Sequence, residues 1–233
     1  LVSPVGPGLL GDTLRAQLDR DGEGLCALAF GTADAEACAA ELRGRGLSAT
    51  PPIDGLGRND VTGAERAWRT VLLPASDTRG VALFAIEHAS PPDMLRLDAD
   101  SDPAVIHGVD HVVIMTADPD AAAALYRDRL GLRLAFDRAF EARRIRLLFF
   151  RIGGVTVELA APLGPPDPTA PDRLWGVSWQ VANVERARDR LAGAGVDVSD
   201  VRPGHKPGTR VCSVRSHTHG VATLLIEPAS TPA

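Results

Sequence analysis

Aromatic side chains are scarce in this chain, 4% of 233 residues. Too few rings are present to build the stacked platforms that grip single-stranded nucleic acid. Charge is equally unpatterned: the formal net charge is −5, and no long block of like charges occurs. This excludes the basic stripe of a nucleic-acid binder and the polybasic segment of a membrane-surface protein. No apolar run approaches the roughly 18 residues that span a bilayer. The three cysteines, Cys26, Cys38 and Cys212, are odd in number and lack metal-site spacing. They read as small packing residues of a reducing compartment, so the expected location is cytoplasmic. No secretory signal is visible. Missing too are a Gly-rich phosphate loop, a Cys-x-x-Cys pair and a Gly-x-Ser-x-Gly elbow. Nucleotide cofactors and a serine nucleophile are therefore not expected.

What the chain does have is self-similarity. The clearest copy runs from Gly108 to Glu158. Gly-Val-Asp-His111 opens a β-branched, strand-like run that ends at Met115. Asp118-Pro119 then supplies an N-cap residue with proline at the first helical position. An alanine-rich, helix-prone stretch follows and stops at Gly131, a glycine C-cap. Strand-like runs cover 132–136, 145–152 and 155–160, the last two joined by the turn Gly153-Gly154. The order is βαβββ. A second copy spans 24–86, with Asp34 as N-cap, Gly46 as stop and later strands at 47–50, 68–73 and 81–86. A third spans 174–226, with Asn183 and Gly195 in those roles and later strands at 196–199, 210–214 and 221–226.

Residues 1–7 resemble 159–165, the exit from the clearest copy. Roughly 50 residues of an upstream module are therefore expected to precede Leu1. Residues 11–20 read as a short connecting helix with Leu14 and Leu18 on its apolar side. The acidic, proline-punctuated stretch 90–103 reads as a domain boundary, and 162–171 as a surface crossover within one domain. The expected organisation is an N-terminal domain, 1–92, lacking most of its first module, and a C-terminal domain, 104–229, holding modules 105–162 and 173–229.

Tandem βαβββ modules with a histidine in the first strand and a glutamate in the last resemble the vicinal oxygen chelate superfamily. The residues that carry this resemblance are Gly-Val-Asp-His111 and Thr-Val-Glu158-Leu. The superfamily includes glyoxalase I, methylmalonyl-CoA epimerase, extradiol dioxygenases, fosfomycin-modifying enzymes and bleomycin-resistance binding proteins. The resemblance implies an α+β fold in which modules pair as curved mixed sheets around a cup. It also implies a small organic ligand in that cup and, in metal-dependent members, up to four side-chain ligands, two from each module. A homodimer is compatible with it. One scaffold hosts many chemistries, so the site must carry the functional argument.

Counting back from each N-cap, the first-strand ligand position falls on Ala27, His111 and Gly176. In the last strands the glutamate position falls on Phe84, Glu158 and Leu224. Glu87 and Glu227 lie three residues further on, on the opposite strand face. His111 and Glu158 thus make only half a metal site, short of the three protein ligands of a catalytic zinc. Two ligands would hold Mg²⁺ or Mn²⁺ weakly. Three readings stand side by side: a weakly held divalent metal that polarises a carbonyl, a metal-free pair in which Glu158 orients the His111 base, and two ordinary hydrogen-bonded residues. Strand alternation adds candidate ligand contacts at Arg146, Phe150, Ser178 and Gln180, with Arg210 at the lip. Trp175 and Trp179 read as core. His217-Thr218-His219 reads as an exposed hairpin tip.

The expected activity is that of a lyase or isomerase acting on a small carbonyl or hydroxyl compound. A non-catalytic sequestering protein of the bleomycin-resistance type is the first alternative. An extradiol-type dioxygenase is the second, and it is disfavoured because Gly176 and Leu224 stand where iron ligands would be needed.

Overall fold

A computed structural model describes residues 9–91 and 102–229. The expected exit-like segment 1–7 and most of the expected boundary at 90–103 lie outside the described residues. The chain divides into two compact units. One takes the described parts of Leu1–Cys26, Ser101–Val112 and Leu174–Ala233; the other takes those of Ala27–Asp100 and Val113–Arg173. Among the described residues no helix is long and apolar enough to cross a membrane.

The second unit opens with the module β1 (Leu28–Gly31), α2 (Ala35–Gly44), β2 (Ile53–Arg58), β3 (Glu65–Leu72) and β4 (Leu83–His88), preceded in the chain by α1 (Leu9–Asp21). Its strands lie in the order β1-β4-β3-β2, with β1 parallel to β4 and the other pairs antiparallel. The expected strand at 47–50 does not form. Pro51 and Pro52 cannot donate to a ladder, so β2 begins only after them. The rest of the unit contains the end of β5 (Ile106–Met115), then α3 (Pro119–Ala123), β6 (Arg133–Phe140), β7 (Ile145–Ile152) and β8 (Val155–Pro162), in the order β5-β8-β7-β6. The β7–β8 turn has Gly153 and Gly154 at φ +54° and +85°, the left-handed pair that a two-residue hairpin of the I′ type requires. The stretch after α3 is not α-helical as expected but a π-helix, Ala124–Arg129, closed by Leu130 N–H donating to the Leu125 carbonyl.

The first unit repeats the topology. β9 (Arg173–Val181), α4 (Val184–Gly193), β10 (Arg202–Pro203), β11 (Arg210–Val214) and β12 (Ala222–Glu227) form the order β10-β11-β12-β9, with the start of β5 next to β9. The expected strand at 196–199 is reduced to one bridge, Val198 to Val214. The core gathers Val181, Val184, Ala187, Cys212 and Leu225, with Trp179 packed against it as expected. Trp175 is instead 45% exposed.

One detail shows how closely the copies are matched to their local chemistry. The first N–H of α2, on Ala35, donates to Glu87, and the first N–H of α4, on Val184, donates to Glu227. In the middle copy the equivalent residues are Pro119, which has no N–H to satisfy, and Ala161, which has no acceptor to offer. Where the helix needs a cap acceptor the last strand carries glutamate; where it does not, the strand carries alanine. Glu227→Ala should therefore cost about 0.5–2 kcal/mol, the usual range for a lost helix cap, measured by denaturant unfolding. An unchanged midpoint would show that the contact contributes nothing.

Candidate functional site

The polar centre of the first unit lies where β5 meets β9. The Asp110 carboxylate and the imidazole of the next residue are joined, Oδ1 to Nδ1, at 2.8 Å. A flat strand would send neighbours to opposite faces, yet here the two side chains meet. The other ring nitrogen, Nε2, lies 2.8 Å from Ser178 Oγ on β9. Two residues along β9, Gln180 donates its amide N–H to the second oxygen of Asp110 at 3.0 Å. The result is a chain of four side chains, Gln180, Asp110, His111 and Ser178.

The proton positions follow from the donors and acceptors. An ionised carboxylate can only accept, so Nδ1 carries hydrogen and donates to Asp110. In the neutral ring Nε2 then presents a lone pair, which accepts from the Ser178 hydroxyl. Ser178 is 2% exposed, while the His111 side chain keeps 20% of its surface open. The imidazole is thus held rigidly and is still reachable from solvent. Gln180 does for Asp110 what Asp110 does for His111: it fixes the orientation of the group below it.

β9 reaches this geometry because Gly176 lets it run close to β12. A β-carbon at 176 would sit 2.7 Å from the Ala222 carbonyl oxygen and 3.1 Å from the Ala222 Cβ. This is the position where a first-strand metal ligand would stand, and the backbone has no room there for any side chain. Gly176→Ala is expected to destabilise the fold by about 1–3 kcal/mol, the usual cost of overpacking, read from thermal or denaturant unfolding. A neutral result would mean that the β9–β12 ladder yields more easily than its spacing indicates.

A metal centre with three protein ligands does not fit the donors in place. Both ring nitrogens of His111 are already hydrogen-bonded. Among the described residues, no group of three or more His, Cys, Asp or Glu side chains is arranged to hold an ion. Glu158 is half-buried on β8, opposite Phe149.

Three other residues expected to touch a ligand make contacts within the protein. The Arg146 fork closes on both oxygens of Asp137 at 2.8 Å each and reaches Asp120 at 2.8 Å. The hydrogen bonds from Arg146 hold the Asp137 carboxyl below the usual range and push the guanidinium's own pKa up. Phe150 is fully buried, its ring 5.7 Å from that of Tyr126. Arg210 is paired with Glu185 on α4. Their alternation along the strand was legible, but the carboxylates that meet the two arginines come from other elements and are not marked by sequence spacing. Ser178 and Gln180 do sit together, with His111. Asp110 carried no expected role, although an acidic residue directly before a strand histidine was the available signal. His217 and His219 are exposed, as expected for a hairpin tip, and His219 meets Glu23 at 2.5 Å.

The pattern matches known proteins at both ends. Residues 9–130, just over half of the chain, match the family described as a glyoxalase-like domain. Residues 110–212 match the glyoxalase/bleomycin resistance protein/dioxygenase superfamily. The chain belongs to that superfamily. A curated relative, the ethylmalonyl-CoA/methylmalonyl-CoA epimerase of Cereibacter sphaeroides, is 30% identical over 40% of this chain and 75% of its own length. Among solved structures, methylmalonyl-CoA epimerase from Mycobacterium tuberculosis is 25% identical, covering 58% of this chain and 95% of that one, with a TM-score of 0.47. A Streptomyces coelicolor methylmalonyl-CoA epimerase in complex with 2-nitronate-propionyl-CoA is 20% identical, covering 54% and 100%, with a TM-score of 0.46. As a member of this superfamily the chain has its mixed α+β architecture, built from repeated βαβββ modules.

Proposed function

We propose that this glyoxalase-like protein is an isomerase that moves a proton at the carbon next to a carbonyl. An α-substituted acyl thioester is the favoured substrate class. The observation that carries the reading is the orientation of His111, whose Nδ1 is held by Asp110 so that Nε2 is the basic nitrogen. The epimerase relative in Cereibacter sphaeroides supports the substrate class.

The chemistry needs one donor and one base, and the chain of side chains offers both. Ser178 turns its hydroxyl hydrogen from Nε2 to the substrate's carbonyl oxygen. Nε2 then takes the α-hydrogen as a proton, and the C–H electron pair moves into the carbonyl system as an enolate. Positive charge forms on the imidazole beside the Asp110 carboxylate, which stabilises it. Delivery of a proton from a solvent water to the opposite face of the enolate, with the imidazolium giving its own proton to solvent, inverts the carbon centre; return of the proton from Nε2 to the same face restores it. Inversion exchanges the α-hydrogen with solvent, and so does return to the same face once the imidazolium proton has exchanged with water.

The test uses methylmalonyl-CoA in D₂O, followed by proton NMR. Loss of the α-hydrogen signal in proportion to protein concentration is expected. Binding without exchange would replace this reading with a sequestering protein, and the absence of both would remove the substrate class.

A further inference from the structure

We infer that the second unit carries an anion site for the phosphate group of an organic phosphate, apart from the His111 centre. A cavity of about 390 Å³ lies between the C-terminal end of α2 and the facing ends of β6 and β7. Its size falls within the range of small-molecule sites. The floor is apolar, made by Leu42, Leu130, Leu132 and Ile152, and the rim carries Arg45, Arg133 and Arg151.

The two strand arginines are the telling feature. Arg133 and Arg151 stand directly opposite each other in the antiparallel β6–β7 pair, so they project from the same face with Cβ atoms about 5 Å apart. Like charges at such a pair destabilise a sheet. Both residues are exposed, and neither meets a carboxylate among the described residues. Arg146, on the same β7, by contrast takes Asp137 and Asp120. On the helix side Arg45 is pinned by Glu41 at 2.5 Å and by the Asp128 carbonyl at 3.5 Å. Glu41 is the one carboxylate on the rim against three guanidiniums.

A doubly charged phosphate between Arg133 and Arg151 would neutralise the repulsion and could be gripped bidentately by each fork. The apolar floor below would take the organic part of the ester. Cys38 also lines the cavity. Burial pushes its thiol pKa up, so it contributes as a small apolar wall and not as a thiolate.

Phenyl phosphate and inorganic phosphate serve as probes, titrated calorimetrically into the full chain. Saturable binding is expected, tighter for phenyl phosphate than for inorganic phosphate because of the floor. The Arg133→Ser/Arg151→Ser pair should weaken it at least tenfold, and Arg151→Lys should restore part of it. Because the wild-type pair repels, unliganded Arg151→Ser should melt no lower than the wild type, which separates loss of binding from loss of fold. No saturable binding, or binding unchanged in the double variant, would overturn the site. Failure here leaves the His111 chemistry untouched, since methylmalonyl-CoA exchange is measured separately.

Discussion

Replacing His111 with alanine should slow α-hydrogen exchange by about 10²–10⁴-fold, the range a positioned general base supplies. Exchange rates from NMR at saturating substrate measure this as a loss in kcat. The companion substitutions separate a base from a mere wall residue. Asp110→Asn keeps the shape but turns an acceptor-only group into one that can donate, and it removes a charge-assisted hydrogen bond worth roughly 1.5–3 kcal/mol. That corresponds to a fall of about 10–10²-fold, with KM little changed because Asp110 acts through His111. Ser178→Ala should lower kcat and leave the unfolding midpoint nearly unaltered, since an alanine fills most of the serine's space. If His111→Ala retained full exchange, the imidazole would be a structural residue and the proton would be taken elsewhere.

The second large effect concerns stability. Arg79→Met is expected to destabilise the second unit by about 3–5 kcal/mol, the cost of leaving one half of a buried ion pair uncompensated. Arg79 Nε meets Asp172 at 3.0 Å, with side-chain exposures of 16% and 0%. The Arg79 backbone is left-handed at φ +55°, and its carbonyl accepts from the Asp172 N–H at 2.7 Å, so the two residues are locked in both main chain and side chain. Tyr126, in the π-helix, is buried nearby, and its hydroxyl pKa is pushed up by that burial and by the Asp172 charge. The double variant Arg79→Met/Asp172→Leu should recover much of the loss, because matched apolar residues avoid desolvating two charges. A single variant within about 0.5 kcal/mol of wild type, the usual range for an inert surface change, would contradict the assignment.

This pair also sets a pH dependence. Burial raises the Asp172 pKa, and the Arg79 charge offsets part of the rise. A carboxyl whose folded pKa lies above its unfolded value of about 3.9 binds its proton more readily in the folded state. Its contribution to stability is therefore complete below about pH 4 and is lost as the pH rises through the folded value. Asp172→Asn should remove that part of the slope from a series of denaturation curves.

The repeats were readable because each copy carries its own punctuation. Asp34, Asp118 and Asn183 each cap a helix by accepting from the N–H three residues on. Gly46, Gly131 and Gly195 end those helices at φ between +74° and +81°. Caps and stops are local chemistry and survive where strand sequences drift. The parts that did not read were set by the third dimension. Leu47 and Ala49 look like a strand and are buried like one, but the Leu47 N–H donates back to the Leu42 carbonyl and the Ser48 N–H to the Asp77 carboxylate, so no ladder forms there. The π-helix at Tyr126 has no signature in an alanine-rich run.

At the site the same division holds. His111, Ser178 and Gln180 were legible from period-two alternation on β5 and β9. Arg146 followed the same alternation, yet its fork was claimed by Asp137, nine residues earlier across the β6–β7 hairpin. Asp110 does not follow from that alternation, because adjacent strand residues ordinarily face apart.

The tautomer of His111 tests the central claim most directly. The imidazole nitrogens can be read by ¹⁵N chemical shift in the free protein at alkaline pH. Hydrogen on Nδ1 and a bare Nε2 in the wild type, with that preference lost in Asp110→Asn, is the predicted result. Hydrogen on Nε2 in the wild type would contradict it, because the nitrogen assigned as the base would then have no lone pair to offer.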